Sequence, residues 1–291
     1  MNIKNCVLVI KETALAQSSL AEKLARRGDM TARGLVHAHD EHHRTVEAVR
    51  EALGERGIDF AETTPRLFSE RVKRKIASSD LTVSVGGDGT ALASSHYVRE
   101  GLMIGVNSAP RDSVGHFCST DRRGFTKTLD GILDASLKPL RLARLAVSLD
   151  DRPLPELALN DVLIAHALPA ATTRYIIQIG GESEEHRSSG VWVSTAAGST
   201  AGIRSAGGKV MPPRSRRFQY LVRELYRQAG KSYKLKRGIL ESGMRLIIAS
   251  KMPEGRLYLD GSRTTYDFPF GTRAKIEVSP FDLKLFLKPR R

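Results

Sequence analysis

Apolar and small residues alternate over positions 81–85, where Leu81, Val83 and Val85 are separated by Thr82 and Ser84. That period of two predicts a strand in a covered sheet. The strand runs straight into Gly86, Gly87, Asp88, Gly89 and Thr90, and residues 90–100 then take up helical spacing. Earlier in the chain, the apolar run 6–10 predicts a first parallel strand. Helical patterns follow at 18–27 and 41–53, the second with Val46, Val49 and Leu53 on one face and Gly54 near its end. A weak strand is expected at 58–63 and a basic amphipathic helix at 66–76. A buried strand at 102–106 ends at Asn107, and another helix is expected at 125–133. Strands alternating with helices imply a parallel α/β sheet with ligands at the C-terminal ends of its strands.

The pattern changes after residue 139. Strand-like runs take over at 142–149, 157–164, 174–179, 190–195, 218–225, 244–249, 256–259 and 275–278. The expected organisation is therefore an α/β domain over 1–139 and a mostly β, sandwich-like domain over 140–279. Segment 280–291 is expected to return to the first domain.

The glycine turn carries the first candidate chemistry. Three glycines remove every large side chain, so backbone amides can approach a ligand closely. The helix that follows points its free N-terminal amides at the same place, which suits a phosphate. Asp88 is the exception, since a carboxylate repels phosphate unless it holds a metal or accepts a proton. Neither the dinucleotide fingerprint G-x-G-x-x-G nor the phosphate loop G-x-x-x-x-G-K-[ST] occurs. Asn160 and Asp161 interrupt an apolar run and need partners there. A carboxylate beside an amide suits two neighbouring ribose hydroxyls; a satisfied structural pair is the alternative. The run 194–202 has only small residues, four of them with hydroxyls, and 205–208 continues it. Such a segment lets a ligand lie against backbone.

The chain has 291 residues, with 46 Lys plus Arg against 32 acids and a net charge of +14. That excess favours anionic partners without choosing among nucleotides, nucleic acid and acidic membranes. Aromatic residues are few, and no RNA-recognition or helix-turn-helix signature appears, so nucleic acid is disfavoured. Cys6 and Cys118 form no disulfide framework and no metal spacing, which points to a reducing compartment. The apolar run at 6–10 is too short for a signal sequence or a membrane span, so the expected location is cytoplasmic. His37, His39, His42 and His43 lack metal-site spacing and read as a helix surface.

Together these motifs resemble the NAD kinase family over nearly the whole chain. GGDGT at 86–90, Gly-Val-Asn at 105–107, Asn-Asp at 160–161, the run at 194–201, Ser-Ala-Gly-Gly at 205–208 and Asp260-Gly261 fall in the family's order. Diacylglycerol- and sphingosine-type lipid kinases share the first motif but not this series. Several stretches, among them 115–118, 158–161, 169–171 and 187–190, resemble the plant NADH kinase branch.

The resemblance implies transfer of the γ-phosphoryl group of ATP, with Mg²⁺, to the adenosine ribose 2′-hydroxyl of NAD(H). It implies Asp88 as general base and Gly86, Gly87, Gly89 and Thr90 around the phosphates. It implies Asn107, His116, Asn160, Asp161, Ser189, Thr195, Ala197, Thr200, Ala201 and Gly202 around the dinucleotide; the metal ligands stay unassigned. It also implies a homo-oligomer, dimer or tetramer, with sites completed by a neighbouring subunit. Three positions depart from the main family: Ser189 stands for an Asp, His116 for a Phe and Gly202 for a Tyr. The first is shared with the NADH kinase branch and favours NADH. The competing functions are a lipid kinase using the same turn and a non-catalytic nucleotide- or nucleic-acid-binding protein on this scaffold.

Overall fold

The computed structural model describes residues 3–17, 20, 23–24, 27, 29–111 and 113–287. The helix expected over 18–27 falls largely outside them, as does the basic tail 288–291. The chain forms two compact units, one from residues 1–140 with 283–291 and one from 141–282.

The first unit is a parallel sheet. Its strands are β1 (Asn5–Ile10), β2 (Asp59–Thr63), β3 (Leu81–Gly86), β4 (Leu102–Asn107) and the short β5 (Thr120–Asp121). The order is β2-β1-β3-β4, followed by the C-terminal strand Leu283–Phe286, with β5 pairing on β4. Every pairing among these strands is parallel. Its helices are α1 (Met30–Gly54), α2 (Glu70–Ser78), α3 (Asp88–Ser95) and α4 (Phe125–Leu133). Val46, Val49 and Leu53 of α1 and Phe125, Leu129 and Ile132 of α4 share a core with Leu8, Val83, Val85, Ile104 and Val106. Because β1 continues to β2 on one side and neighbours β3 on the other, the C-terminal ends of β1 and β3 flank a switch point. Crevices of that kind are where open α/β sheets bind ligands.

Three elements differ from the sequence pattern. α1 begins at Met30 rather than near 41, because Asp29 caps it by accepting from Ala32 N at 2.8 Å. The basic helix splits into a short turn at Pro65–Leu67 and α2, capped by Ser69. α3 ends at Ser95 instead of 100.

β6 (Leu140–Leu142) carries the chain from the first unit into the second. The second unit holds two antiparallel six-stranded sheets. The first contains β7 (Leu145–Leu149), β8 (Arg152–Ala158), β10 (Thr173–Ile179), β11 (Glu182–Ser188), β15 (Leu246–Ser250) and β18 (Arg273–Val278). The second contains β9 (Asp161–His166), β12 (Gly190–Ser194), β13 (Phe218–Arg223), β14 (Arg237–Leu240), β16 (Gly255–Leu259) and β17 (Thr264–Asp267). Their orders are β11-β10-β15-β18-β7-β8 and β14-β13-β12-β9-β16-β17. Alternate residues of both sheets, among them Tyr175, Ile177 and Ile248 from one and Val162, Val191 and Val193 from the other, build one core. That is sandwich packing. The apolar run 157–164 is not one strand: it breaks between β8 and β9 at Leu159 and Asn160.

Candidate active site

In the first unit the glycine turn follows β3 and opens α3 at the C-terminal edge of the sheet. Gly86 lies opposite Asn107 in the β3–β4 register. A Cβ on Gly86 would sit 2.5 Å from Thr90 Oγ1, and one on Gly87 would sit 2.7 Å from Ser113 Oγ. Gly86 is therefore required by the protein's own packing, whereas at Gly87 the Ser113 hydroxyl could turn aside. A Cβ on Gly89 would meet nothing within 4 Å, so that side of the turn is open. Asp88 and Gly89, in the first turn of α3, have no intrahelical acceptor for their N–H groups.

Asp88 is held from the neighbouring loop, where Phe117 N donates to Oδ1 at 2.7 Å. Its other carboxylate oxygen has no hydrogen-bond partner among the described residues. The half-buried His116 ring packs edge-on against Phe117, with centroids 5.2 Å apart. Asn107 is buried and its amide builds the loop: it donates to Ser113 O at 2.9 Å and accepts from Ala109 N at 3.2 Å. Beside Asn107 lies a cavity of about 300 Å³ lined by His37, Glu41, Arg111, Asp121, Arg122 and Arg123, among others. None of these three guanidinium groups pairs with a carboxylate among the described residues. Sequence reasoning missed them; their position next to the 105–108 and 115–118 motifs was the available signal.

In the second unit the Asn160–Asp161 break is pinned from two directions. Asp260 accepts from the backbone N–H groups of Leu159, Asn160 and Asp161 at 2.8, 2.7 and 2.9 Å. Asp260 has φ 50°, a left-handed conformation that Asp tolerates better than most residues. From the other side, Thr195 N donates to Asn160 O at 2.9 Å and Ser194 Oγ to the same oxygen at 3.1 Å. Thr195 Oγ1 donates to Leu159 O at 2.5 Å and accepts from Gly198 N at 2.9 Å. Thr195 is thus a staple whose own polar groups are occupied.

The side chains of Asn160 and Asp161 have no hydrogen-bond partner among the described residues. Asp161 is buried, and its carboxyl is raised to about 7, first by desolvation and then by the Asp260 charge. A buried carboxyl with no internal donor is the signature of a group waiting for a ligand.

The run that lies against this pair needs small residues for a steric reason. A Cβ on Gly198 would fall 2.0 Å from Asn160 O. Gly198→Ala is expected to destabilise the second unit by about 3 kcal/mol and to displace the Asn160–Asp161 turn. Thermal unfolding alongside dinucleotide affinity measures both effects.

Ala197 is buried; Thr200 and Ala201 are half-buried and Gly202 is exposed, its Cα facing the Trp192 ring, 3.1 Å from where a Cβ would stand. Ser189 is not brought to this cluster. It precedes β12 while Thr195 follows it, and six extended steps span about 20 Å. Among the described residues there is no cluster of three or more His, Cys, Asp or Glu that could hold a metal. The four histidines of 37–43 are not all surface groups, as their pattern suggested: His37 and His43 are exposed, but His42 is buried in the first unit.

No family model matches the chain. Among curated proteins it is 33% identical over 268 residues to a probable NADH kinase of Oryza sativa subsp. japonica, covering 84% of this chain and 81% of the relative. An NADH kinase of Arabidopsis thaliana is 30% identical over 278 residues, covering 84% and 83%. The chain belongs to the NAD kinase family. Solved NAD kinases share the fold of this family member. One from Archaeoglobus fulgidus in complex with ATP has a TM-score of 0.70 at 22% identity, covering 97% of this chain and 93% of that one. Yeast NADH kinase complexed with NADH has a TM-score of 0.73 at 17% identity, covering 99% and 84%. Neither competing function, the lipid kinase or the non-catalytic binding protein, is supported by these relatives. No helix among the described residues is long and apolar enough to cross a membrane.

Proposed function

We propose that this protein is an NAD(H) kinase that transfers the γ-phosphoryl group of ATP to the adenosine ribose 2′-hydroxyl and prefers NADH. The observation that carries the reading is Asp88, placed in the glycine turn with one carboxylate oxygen fixed by Phe117 N–H and the other without a partner among the described residues. The family membership and the plant NADH kinases among the relatives support it.

Phosphoryl transfer through a loose transition state asks mainly for alignment and charge neutralisation. Gly86, Gly87, Gly89 and Thr90 let the donor phosphates lie against backbone amides. Arg111, Arg122 and Arg123 add positive charge beside them. The free oxygen of Asp88 orients the ribose hydroxyl and takes its proton late, as a weak base can when the nucleophile is already aligned. Mg²⁺ is held with few protein ligands when phosphates supply the rest, so the turn at Gly87, Gly89 and Thr90, open on the Gly89 side, would hold it together with them without a dedicated cage. When bound, it would neutralise donor phosphate charge. Asn160 and Asp161 hold nucleoside hydroxyls of the dinucleotide, with Thr195, Ala197, Thr200 and Ala201 lining its path.

The NADH preference rests on Ser189. A hydroxyl in place of a carboxylate removes an attraction for the cationic nicotinamide of NAD. Ser189→Asp is expected to shift the NADH-to-NAD ratio of kcat/KM towards NAD by about tenfold; an unchanged ratio would sink this assignment. Because Ser189 lies about 20 Å of strand from Thr195 in one chain, a second copy is the natural source of that contact, and we assign a homo-oligomer. The two free cysteines, one of them buried, fit a cytoplasmic enzyme. The function is tested with γ-labelled ATP: label should pass to the dinucleotide and be released by a 2′-phosphatase. Label that stays on ATP, or passes only to water, overturns it.

A further inference from the structure

One histidine on α1 has no part in that chemistry, yet it is almost wholly enclosed. His42 is 2% exposed. Its Nδ1 lies 2.9 Å from Ser108 Oγ. The backbone of Lys11 lies near the same ring. Ser108 and Lys11 are the first residues past β4 and β1. Each donates its backbone N–H to the strand that ends in the glycine turn: Ser108 N to Gly86 O at 3.0 Å and Lys11 N to Val85 O at 2.9 Å. His42 therefore bonds to one of the two residues that brace β3 and lies near the other. A second histidine repeats the link one turn earlier, since His39 Nδ1 lies 2.7 Å from Thr13 Oγ1 in the segment after β1.

We infer that His42 is a positioning residue that clamps the three strand ends around Gly86 and so holds the phosphate-facing amides of the glycine turn in register. Such rigidity matters because donor amides help phosphoryl transfer only when they are aligned beforehand. A neutral imidazole makes the Ser108 link, since Nδ1 can accept from that hydroxyl, while the ring fills the space beside the Lys11 backbone. Burial first, then the His43 and Lys11 charges, push the ring down to about 4, so it stays neutral near pH 7. Phe would fill the volume but lose the Ser108 bond. Asn would place its carbonyl oxygen where Nδ1 stands and keep the Ser108 link alone.

The kinetic arm of the test rests on the proposed kinase activity; the exchange arm does not. Amide hydrogen exchange over residues 85–91 is measured on the full-length protein without ligand for wild type, His42→Phe, His42→Asn and Ser108→Ala. Exchange should rise at least about tenfold in His42→Phe and Ser108→Ala, with His42→Asn between them and wild type, while α4 amides stay unchanged. The KM for Mg·ATP should rise about tenfold in the same order, with the KM for NADH within twofold of wild type. Ser108→Ala leaves the buried ring in place, so it keeps the test open if His42→Phe does not fold. Unchanged exchange at 85–91 in folded Ser108→Ala overturns the clamp. So does a parallel rise at α4, which would mean general loosening. An inactive wild type would overturn the proposed function and leave the exchange result to decide the clamp.

Discussion

Replacing Asp88 with Asn is expected to lower kcat by about 10³-fold while leaving the fold and the KM values nearly unchanged. General-base groups contribute on the order of 10²- to 10⁴-fold. The substitution is clean because the one internal bond survives it: an Asn carbonyl can accept from Phe117 N as Oδ1 does now at 2.7 Å. What the amide cannot do is take the proton of the attacking hydroxyl. One negative charge is also removed from beside the donor phosphates, which favours ATP binding slightly and works against any rise in its KM. Steady-state kinetics with circular dichroism as a fold check measures this. A variant within threefold of wild type in kcat would remove Asp88 from the role of base.

Asp161→Asn should do two opposite things. Its carboxyl is raised from 3.8 to about 7, by burial and then by Asp260. An acid whose pKa is higher in the folded state erodes stability as pH rises from about 4 towards 7, and the full cost stands above 7. The gap corresponds to roughly 4 kcal/mol. Asn carries no charge, so the variant should be more stable than wild type at pH 8, with a Tm several degrees higher, and equal to it near pH 4. At the same time it loses the anionic acceptor for the dinucleotide. Hydrogen bonds to charged groups are worth about 1.5–3 kcal/mol, so its KM should rise roughly 10- to 150-fold. In wild type, dinucleotide affinity should improve as pH rises to about 7 and then level off. Urea unfolding at the two pH values decides the first half. Equal stability at pH 8 would show that the carboxyl is not the strained group described here.

Much of this was readable from local pattern. The 81–90 stretch states its own structure, because strand alternation, three glycines and helical spacing follow one another without interruption. The Asn160–Asp161 motif was legible as chemistry but not as geometry. A continuous apolar run predicted one strand, whereas Asp260, about a hundred residues away, draws three consecutive N–H groups out of the ladder. Nothing local announces that.

β11 was missed for the opposite reason. Glu182 to Ser188 is almost wholly polar, and it becomes a strand because a Gly180–Gly181 turn folds it back along β10 as an edge. Tertiary pairing outweighed propensity there. α1 carried its own start signal in Asp29, which lies well before the apolar stripe of Val46, Val49 and Leu53 that marked the helix. His42 could not be told from its exposed neighbours, since its partner Ser108 lies 66 residues away in sequence, just past β4.

The proposed role of Asp88 and the Asn160–Asp161 pair is 2′-phosphorylation of a reduced dinucleotide. It is met most directly by incubating the full-length protein with Mg·ATP and either NADH or NAD. Product is read with a dehydrogenase that accepts only the 2′-phosphorylated cofactor. Product is expected from both, with kcat/KM higher for NADH. No product from either dinucleotide, with the protein folded and Mg·ATP in excess, would contradict it.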